Sequence, residues 1–578
     1  MTFSEIRDFY AIGAGPIDLM RRILDRIREW DDPALFLHLP PEEELMQLAA
    51  TTAALPRDLP LWGIPFVVKD NIDVAHWPTS AACPDFAHIP DVDATVVRLL
   101  REAGAMPIGK VNLDQFATGL VGTRSPHGVP RNAIAPGYLP GGSSSGSASA
   151  VAAGIAAFSL GTDTAGSGRV PAAFQELIGW KPSKGLLSTR GVLPACRSLD
   201  CVSVFTLTPA DAADVMSCVA AYDEADPCSR KLEPAPRIPA TFRFGVPRAL
   251  DFQNDPDTPA LFSAAVHKMT SLGGEAVGID LTLFLEAAEL LYEGPWVAER
   301  WAAIGDFVES HPDSIFPVTR KILENSRGWD AAATFKAQNR LREIARLVEP
   351  VWRDIDFLLL PTTPCLYTVE QNLADPFVTN RILGRYTNFM NLLDLAAVAV
   401  PADRARGGVV PWGVTLCAPA GSDASLLDMA SRWLGAPPLA FPDSRIPIVV
   451  CGAHMAGLPL HHQLAERGAS FRMRTSTAPC YRLHAMPANG ALPARPALIQ
   501  HADGGAIEVE IWELKPADFG SFVAGIPAPL GIGKVLLADG QELPGFIAEP
   551  RALVGSEDIT LHGGWRKWLE HRGSNPGT

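Results

Sequence analysis

A chain of 578 residues, 47% hydrophobic and 20% charged, is too long for one ordinary domain and has the apolar content to bury more than one core. Its net charge of −15 argues against the basic footprint of a nucleic-acid binder. The start MTFSEIRDFY carries no leader signature, the longest small and apolar run is too short and Gly-broken to span a bilayer, and nine cysteines form no CxxC pair. A cytoplasmic protein with reduced thiols, no metal centre and no membrane or nucleic-acid partner is therefore expected.

In chain order, residues 1 to about 55 read as a helical arm, with Leu19, Ile23, Ile27 and Trp30 at helical spacing. Residues 64–68 form a short apolar strand that ends in Lys69. DATVVRLLREAGA (93–105) is an amphipathic helix, MPIGKVN a strand, and LDQFATGLVGTRSPHG a helix entering a loop. This alternation predicts an α/β fold, a mixed twisted β-sheet covered by helices on both faces. The stretch 141–198 is rich in Gly, Ser and Ala, yet Val151, Ile155, Phe158, Leu160, Asp163 and Arg169 sit at single places, so it is ordered chain and not a linker. Within it, 147–158 reads as a helix, FSLGTDT as a strand, AGSG as a sharp turn and 171–178 as a short helix. Helices follow at 209–225, 259–272, 283–307 and 315–339, then strands at 357–361, 393–401 and 412–418, and a helix at 425–434. A Pro-rich linker (437–446) separates this domain, 1–436, from a small α+β domain over 447–570, and 571–578 reads as a disordered tail.

The Ser-rich centre raises the question of what activates a serine. No G-x-S-x-G elbow stands in a strand–turn–helix setting, and His38, His76, His88, His127, His267 and His311 have no recognisable catalytic context. A lysine kept neutral by burial can serve instead, and Lys69, ending a buried strand, is a suitable source.

GIPFVVKDNIDV, GGSSSGSA and GTDTAGSGRVPA resemble the amidase signature family, over about residues 20–436. The resemblance implies that family's fold and its Ser-cisSer-Lys triad. Lys69 would be the base, Ser143 the bridging serine and Ser167 the nucleophile, 24 residues beyond Ser143 as in the family's motif. Backbone N–H groups of Thr164, Ala165, Gly166 and Ser167 would face the substrate oxygen as an oxyanion hole. Ser144, Ser145, Ser147 and Ser149 read as helix packing or capping.

A narrower resemblance lies in VNLDQFATGLVGTRSPHG, STRGVLPACRSLDCVSVF, LLYEGPWVAERW and, near the C-terminus, HHQLAERGA, YRLHAMP and FGSFVAGIPAPLGIGK. These are similar to allophanate hydrolases. The resemblance implies hydrolysis of urea-1-carboxylate (allophanate) to ammonia and carbon dioxide through an acyl-enzyme, without cofactor. It also implies that Tyr292 and Arg300, eight residues apart and expected on one helix face, hold the substrate carboxylate. No biotin-accepting or ATP-binding motif is seen, so no fused urea carboxylase is expected. The C-terminal opening VVCGAHMAGLPLHHQL resembles the γ-glutamylcyclotransferase-like fold, with Glu508, Glu510 and Glu513 undecided as its acid. His454, His461 and His462 could form a second site for a carboxylated intermediate, although an assembly role for this domain is the preferred reading. A homo-oligomer (a dimer or dimer of dimers) and association with upstream pathway enzymes are expected, in either urea or triazine-ring (cyanuric acid) breakdown. The alternatives are an amidase of different small-amide specificity, the amidase subunit of a tRNA-dependent amidotransferase, or a silent scaffold.

Overall fold

The computed structural model describes residues 1–292, 294–439, 441, 445–488 and 493–573. The chain divides into two units, Met1–Ala440 and Phe441–Thr578, so the boundary falls inside the expected linker.

The first unit is built on eleven strands: β1 (Phe36–His38), β2 (Pro65–Lys69), β3 (Met106–Val111), β4 (Phe158–Asp163), β5 (Ile178–Lys181), β6 (Cys201–Thr206), β7 (Phe242–Pro247), β8 (Gly274–Ile279), β9 (Phe357–Pro361), β10 (Leu395–Ala405) and β11 (Val410–Pro419). Their order is β1-β3-β2-β4-β6-β5-β10-β11-β9-β7-β8. β2 runs parallel to both β3 and β4, and β7 parallel to β8 and β9; the remaining pairs are antiparallel, which makes the sheet mixed. Every residue of β2, β3, β4, β6 and β9 is buried. Successive side chains point to opposite faces, so both faces of the sheet are covered there. Phe66 of β2 stacks on Phe158 of β4 at 4.9 Å, and Phe3 of the N-terminal arm packs edge-on against the same ring. That arm holds helices Phe3–Ala11, Pro16–Trp30 and Glu42–Ala53. The first opens with a capping box between Thr2 and Glu5, and the second buries Leu19, Met20, Ile23 and Leu24.

Some elements differ from expectation. The Ala-rich helix is shorter, Ser145–Ala152, and β5, β6 and β8 join strands that periodicity did not show. The helix expected from LDQFATG is replaced by a single 3₁₀ turn, Gln115–Ala117. Here the backbone wraps the Asp114 carboxylate, which accepts from the amides of Val121 (3.2 Å), Gly122 (3.0 Å) and Arg124 (2.9 Å). Donors committed to that carboxylate are lost to a helical ladder.

The second unit holds β12 (Ile446–Val450), β13 (Ser470–Ser476), β14 (Tyr481–Met486), β15 (Arg495–Gln500), β16 (Glu508–Leu514), β17 (Leu530–Leu536), β18 (Glu542–Ala548) and β19 (Glu557–Asp558). They form a five-stranded sheet, β13-β16-β12-β18-β17, and a three-stranded one, β15-β14-β19. Residues 571–573 finish the helix Trp565–Gly573, whereas the rest of the expected tail lies outside the described residues. Glu510 is fully buried and committed, accepting from Ala456 N (2.7 Å), Trp512 Nε1 (3.2 Å), Arg474 Nη2 (3.0 Å) and Arg566 Nη2 (2.9 Å). Each of the three histidines is engaged by a local partner. His454 bonds Gln463 and stacks on Phe546, burial lowering its pKa to about 4; His461 bonds the His454 carbonyl, and His462 the Pro459 carbonyl.

Candidate active site

Lys69 is the last residue of β2, flanked by parallel strands on both sides and without exposed surface. Its Nζ lies 2.8 Å from Ser143 Oγ and 2.7 Å from Thr162 Oγ1 on β4. Burial pushes its pKa from 10.5 down to about 7. The carboxylates of Asp114, Asp200 and Asp163 oppose that shift, and the Arg300 charge adds to it.

Ser143 follows a cis Gly142–Ser143 peptide. Its carbonyl accepts from Asp114 N (3.0 Å) and its Oγ donates to Ser167 Oγ (3.1 Å). Gly142 is a position only glycine fits: a Cβ there would lie 2.1 Å from Asp114 Oδ2 and 2.5 Å from Gly122 N. Ser167 Oγ also reaches the Gly119 carbonyl, at 3.4 Å, and the residue is 3% exposed.

The turn carrying Ser167 is gathered around Asp163. That carboxylate accepts from Gly166 N (2.8 Å), Gly168 N (3.0 Å), Arg169 Nε (2.8 Å) and Arg169 Nη2 (2.8 Å). Burial alone would raise its pKa, but the buried Arg169 guanidinium, the Lys181 charge and the Gly168 amide hold it below the usual carboxylate value. The expected oxyanion donors are corrected at one residue. The Gly166 N–H is spent on Asp163, while the amides of Ala165 and Ser167 meet no protein acceptor among the described residues. Thr164 contributes its hydroxyl, which donates to Asp200 Oδ1. Asp200, its pKa pushed up to about 6 by burial, also accepts from Ala195 N (2.8 Å) and Cys196 N (3.1 Å).

The segment before β10 brackets the same turn. Thr387 O and Asn391 Oδ1 accept from Arg169, at 3.0 and 3.1 Å. Asn391 Nδ2 donates to Asp163 O (2.7 Å) and Leu199 O (3.0 Å). Oriented with its nitrogen inward, the Asn388 carboxamide donates to Ala165 O at 2.9 Å.

Arg300, on helix Val297–Ser310, is buried and aimed at the same region. Its Nη1 donates to Thr118 Oγ1 (2.9 Å), Ala117 O (3.3 Å) and Phe116 O (3.4 Å). Phe116 and Ala117 adopt left-handed backbone, φ 52° and 53°, where these carbonyls meet one guanidinium nitrogen. Tyr292 ends helix Thr282–Tyr292, and its side chain lies outside the described residues. The two do not share one helix as expected: Gly294 and Pro295 fall between two helices, and a proline cannot donate to a continuous ladder. Leu291 and Trp296, on either side of that break, pack in one apolar cluster with Ala165 and Cys196, which ties this region to the Ser167 turn. Thr162, Asp114, Asp200 and Asn391 went unnoticed in the sequence; an acid directly before an apolar strand, as in RSLDCVSVF, was the available signal for Asp200. Among the described residues no group of three His, Cys, Asp or Glu side chains is placed to hold a metal ion, and no helix is long and apolar enough to cross a membrane.

With a lysine, two serines and a glycine-rich turn on one mixed sheet, the chain belongs to the amidase family, which its residues 18–427 match. Residues 446–570 match the allophanate hydrolase C-terminal domain family. The fold superposes on Kluyveromyces lactis allophanate hydrolase with a TM-score of 0.82, at 37% identity and covering 99% of each chain. The urea amidolyase of Saccharomyces cerevisiae is 41% identical over 546 residues, 89% of this chain and 30% of that protein, so the present chain spans about a third of its length. A glutamyl-tRNA(Gln) amidotransferase subunit of Thermus thermophilus is 33% identical, over 74% of this chain and 96% of its own.

Proposed function

We propose that the chain hydrolyses allophanate through Lys69, Ser143 and Ser167. The observation that carries this reading is the unbroken hydrogen-bonded chain from Nζ through one hydroxyl to the other, with a buried arginine beside it. Likeness to the K. lactis enzyme over 99% of both chains supports the choice of substrate.

With Lys69 neutral, the Ser143 hydroxyl turns from Ser167 to donate to the Nζ lone pair, and in turn accepts the Ser167 proton. Ser167 Oγ then attacks the terminal carbamoyl carbon. The resulting oxyanion rests on the amides of Ala165 and Ser167, where one donor is worth about 10²–10³ in rate. Lys69 returns the proton through Ser143 to the departing nitrogen, and ammonia leaves. Water, deprotonated along the same path, attacks the Ser167 ester and releases the dicarboxylated nitrogen, which loses carbon dioxide. Net products are two ammonia and two carbon dioxide. Arg300, with Tyr292, grips the carboxylate that distinguishes allophanate from a neutral amide, a role suited to a planar guanidinium. A cytoplasmic setting fits the nine unpaired cysteines. We also expect a homo-oligomer that associates with upstream pathway enzymes, and sedimentation of the purified chain is the first check of its oligomeric state.

The test is ammonia release from allophanate, malonamate, biuret and propionamide, with Ser167→Ala as the blank. Allophanate should lead by a wide margin. Equal rates on propionamide would leave an amidase of other specificity. Activity on glutamine that needs partner chains and RNA would instead favour the amidotransferase role suggested by relatives at 33% identity. The chain truncated after residue 440 assigns the second unit: full release of both nitrogens gives it an assembly role, and arrest after one ammonia gives it a part in the chemistry.

A further inference from the structure

Asp200, a buried acid directly before β6, takes no part in the proton path, yet its carboxylate joins two segments of the site. On one side it accepts from Thr164 Oγ1, at the head of the turn that presents the Ala165 and Ser167 amides. On the other it accepts from Ala195 N (2.8 Å) and Cys196 N (3.1 Å), while Asp200 N donates to Cys196 O at 2.9 Å, which closes residues 195–200 into a loop. That loop holds the helix of Arg300. Cys196 Sγ donates to the carbonyl of Trp296, the N-cap of that helix, at 3.3 Å. Ser198 donates to Glu299 Oε2 from its amide (3.2 Å) and from its hydroxyl (2.9 Å). Ala165, Cys196, Leu199 and Trp296 pack in one apolar cluster across the same joint.

We propose that Asp200 is a positioning residue: its carboxylate pins the Thr164 hydroxyl to the 195–200 loop and so fixes the Ala165 and Ser167 amides against the helix that carries Arg300. The proposal rests on the allophanate reading, because only a substrate held at both ends needs that register. Removing the carboxylate strands three buried donors, the Thr164 hydroxyl and the amides of Ala195 and Cys196, and frees the two segments to drift apart. Its charge also bears on the amine. Burial lowers the Lys69 pKa, and the Asp200 anion opposes that shift, as do Asp114 and Asp163, while the Arg300 charge adds to it. Burial raises the pKa of Asp200 itself to about 6, against the Thr164 hydroxyl, the Cys196 and Ala195 amides and the Arg300 charge, so it is an anion where Lys69 turns into a base.

The test assays the full chain and the variants Asp200→Ala, Asp200→Asn, Thr164→Val and Thr164→Ser on allophanate and propionamide, along the acid limb of the rate. Asp200→Ala should lower kcat for allophanate about 10²-fold, the cost of misplacing reacting groups by an ångström. Propionamide, which can follow the shifted amides, should lose clearly less. Thr164→Val cuts the same tie and keeps the charge, so it should repeat this pattern with the acid limb in place, and Thr164→Ser should restore most of the loss. Asp200→Asn keeps the shape and removes the charge, so its acid limb should move to lower pH, a change that a loop-closing role alone would not produce. Where Asp200→Ala does not fold, Thr164→Val and Asp200→Asn decide. Wild-type kcat in Thr164→Val, equal losses on the two amides, or an acid limb that Asp200→Asn leaves unmoved overturns the role of Asp200 and leaves the proposed function intact. A wild-type chain that does not turn over allophanate overturns both.

Discussion

Replacing Lys69 by methionine keeps an apolar stem of similar length and removes the titrating amine. The unfolded lysine binds its proton below 10.5, and the folded one only below about 7, because burial disfavours the ammonium. Between these values the unfolded chain holds more protons, so stability rises with pH at up to about 1.4 kcal/mol per unit. Below the folded value both states are protonated and the penalty is constant. Integrated from pH 7 to 9, the gain is about 2 kcal/mol for the wild type and none from residue 69 in the variant. Urea unfolding of the two chains in matched buffers should therefore show the wild type gaining about 2 kcal/mol on the variant over that span. The same titration sets the acid limb of the rate. Wild-type kcat/KM on allophanate should rise about tenfold per pH unit well below 7 and level off above it, as the amine becomes a base. Parallel stability curves from pH 7 to 9, together with a flat rate from pH 6 to 9, would refute both the neutral lysine and its role.

Gly142→Ala places a Cβ 2.1 Å from Asp114 Oδ2 and 2.5 Å from Gly122 N, so two loops must part. Steady-state assays should show a loss of about 10²-fold or more, the cost of misplacing a reacting group by an ångström, with a lowered Tm. Asn391→Leu strips the donors from two buried carbonyls, Asp163 O and Leu199 O. At about 1–3 kcal/mol for each unpaired group, urea unfolding should register a loss of several kcal/mol, and kcat should fall more than KM rises because the Asp163–Arg169 anchor slackens. Arg300→Lys should raise KM for allophanate well beyond its effect on propionamide, since a point charge cannot replace the planar fork. An equal effect on both amides would remove Arg300 from carboxylate recognition.

The three stretches that carry Lys69, Ser143 and Ser167 were legible because each is local: an apolar strand ending in lysine, a glycine pair before serines, and a glycine-framed serine turn. What supports them was not. Thr162 reaches Lys69 because β2 pairs in parallel with β4, with Val68 opposite Leu160, a register no single segment specifies. Asn391 lies 228 residues from the Asp163 carbonyl it holds, and nothing near it in sequence signals that contact. The helix expected over LDQFATG failed because Asp114 draws the amides that follow it onto its own carboxylate, and the shared face expected for Tyr292 and Arg300 failed at Pro295. β8, with two glycines and only its first and last residues buried, lacks the apolar run that marks a buried strand.

The chain between β8 and β9, residues 280–356, leaves the sheet as one long excursion and carries Arg300 with it. Lys69, Ser143 and Thr162 lie in or between β2 and β4, and Ser167 in the turn that follows β4, all before residue 170. In the proposed mechanism, reaction and recognition are thus drawn from separate stretches of one polypeptide. Mutations that remodel the excursion can shift selectivity from one amide to another while the proton path keeps its spacing. Such a layout lets selection explore new substrates in steps that need not pass through a dead enzyme.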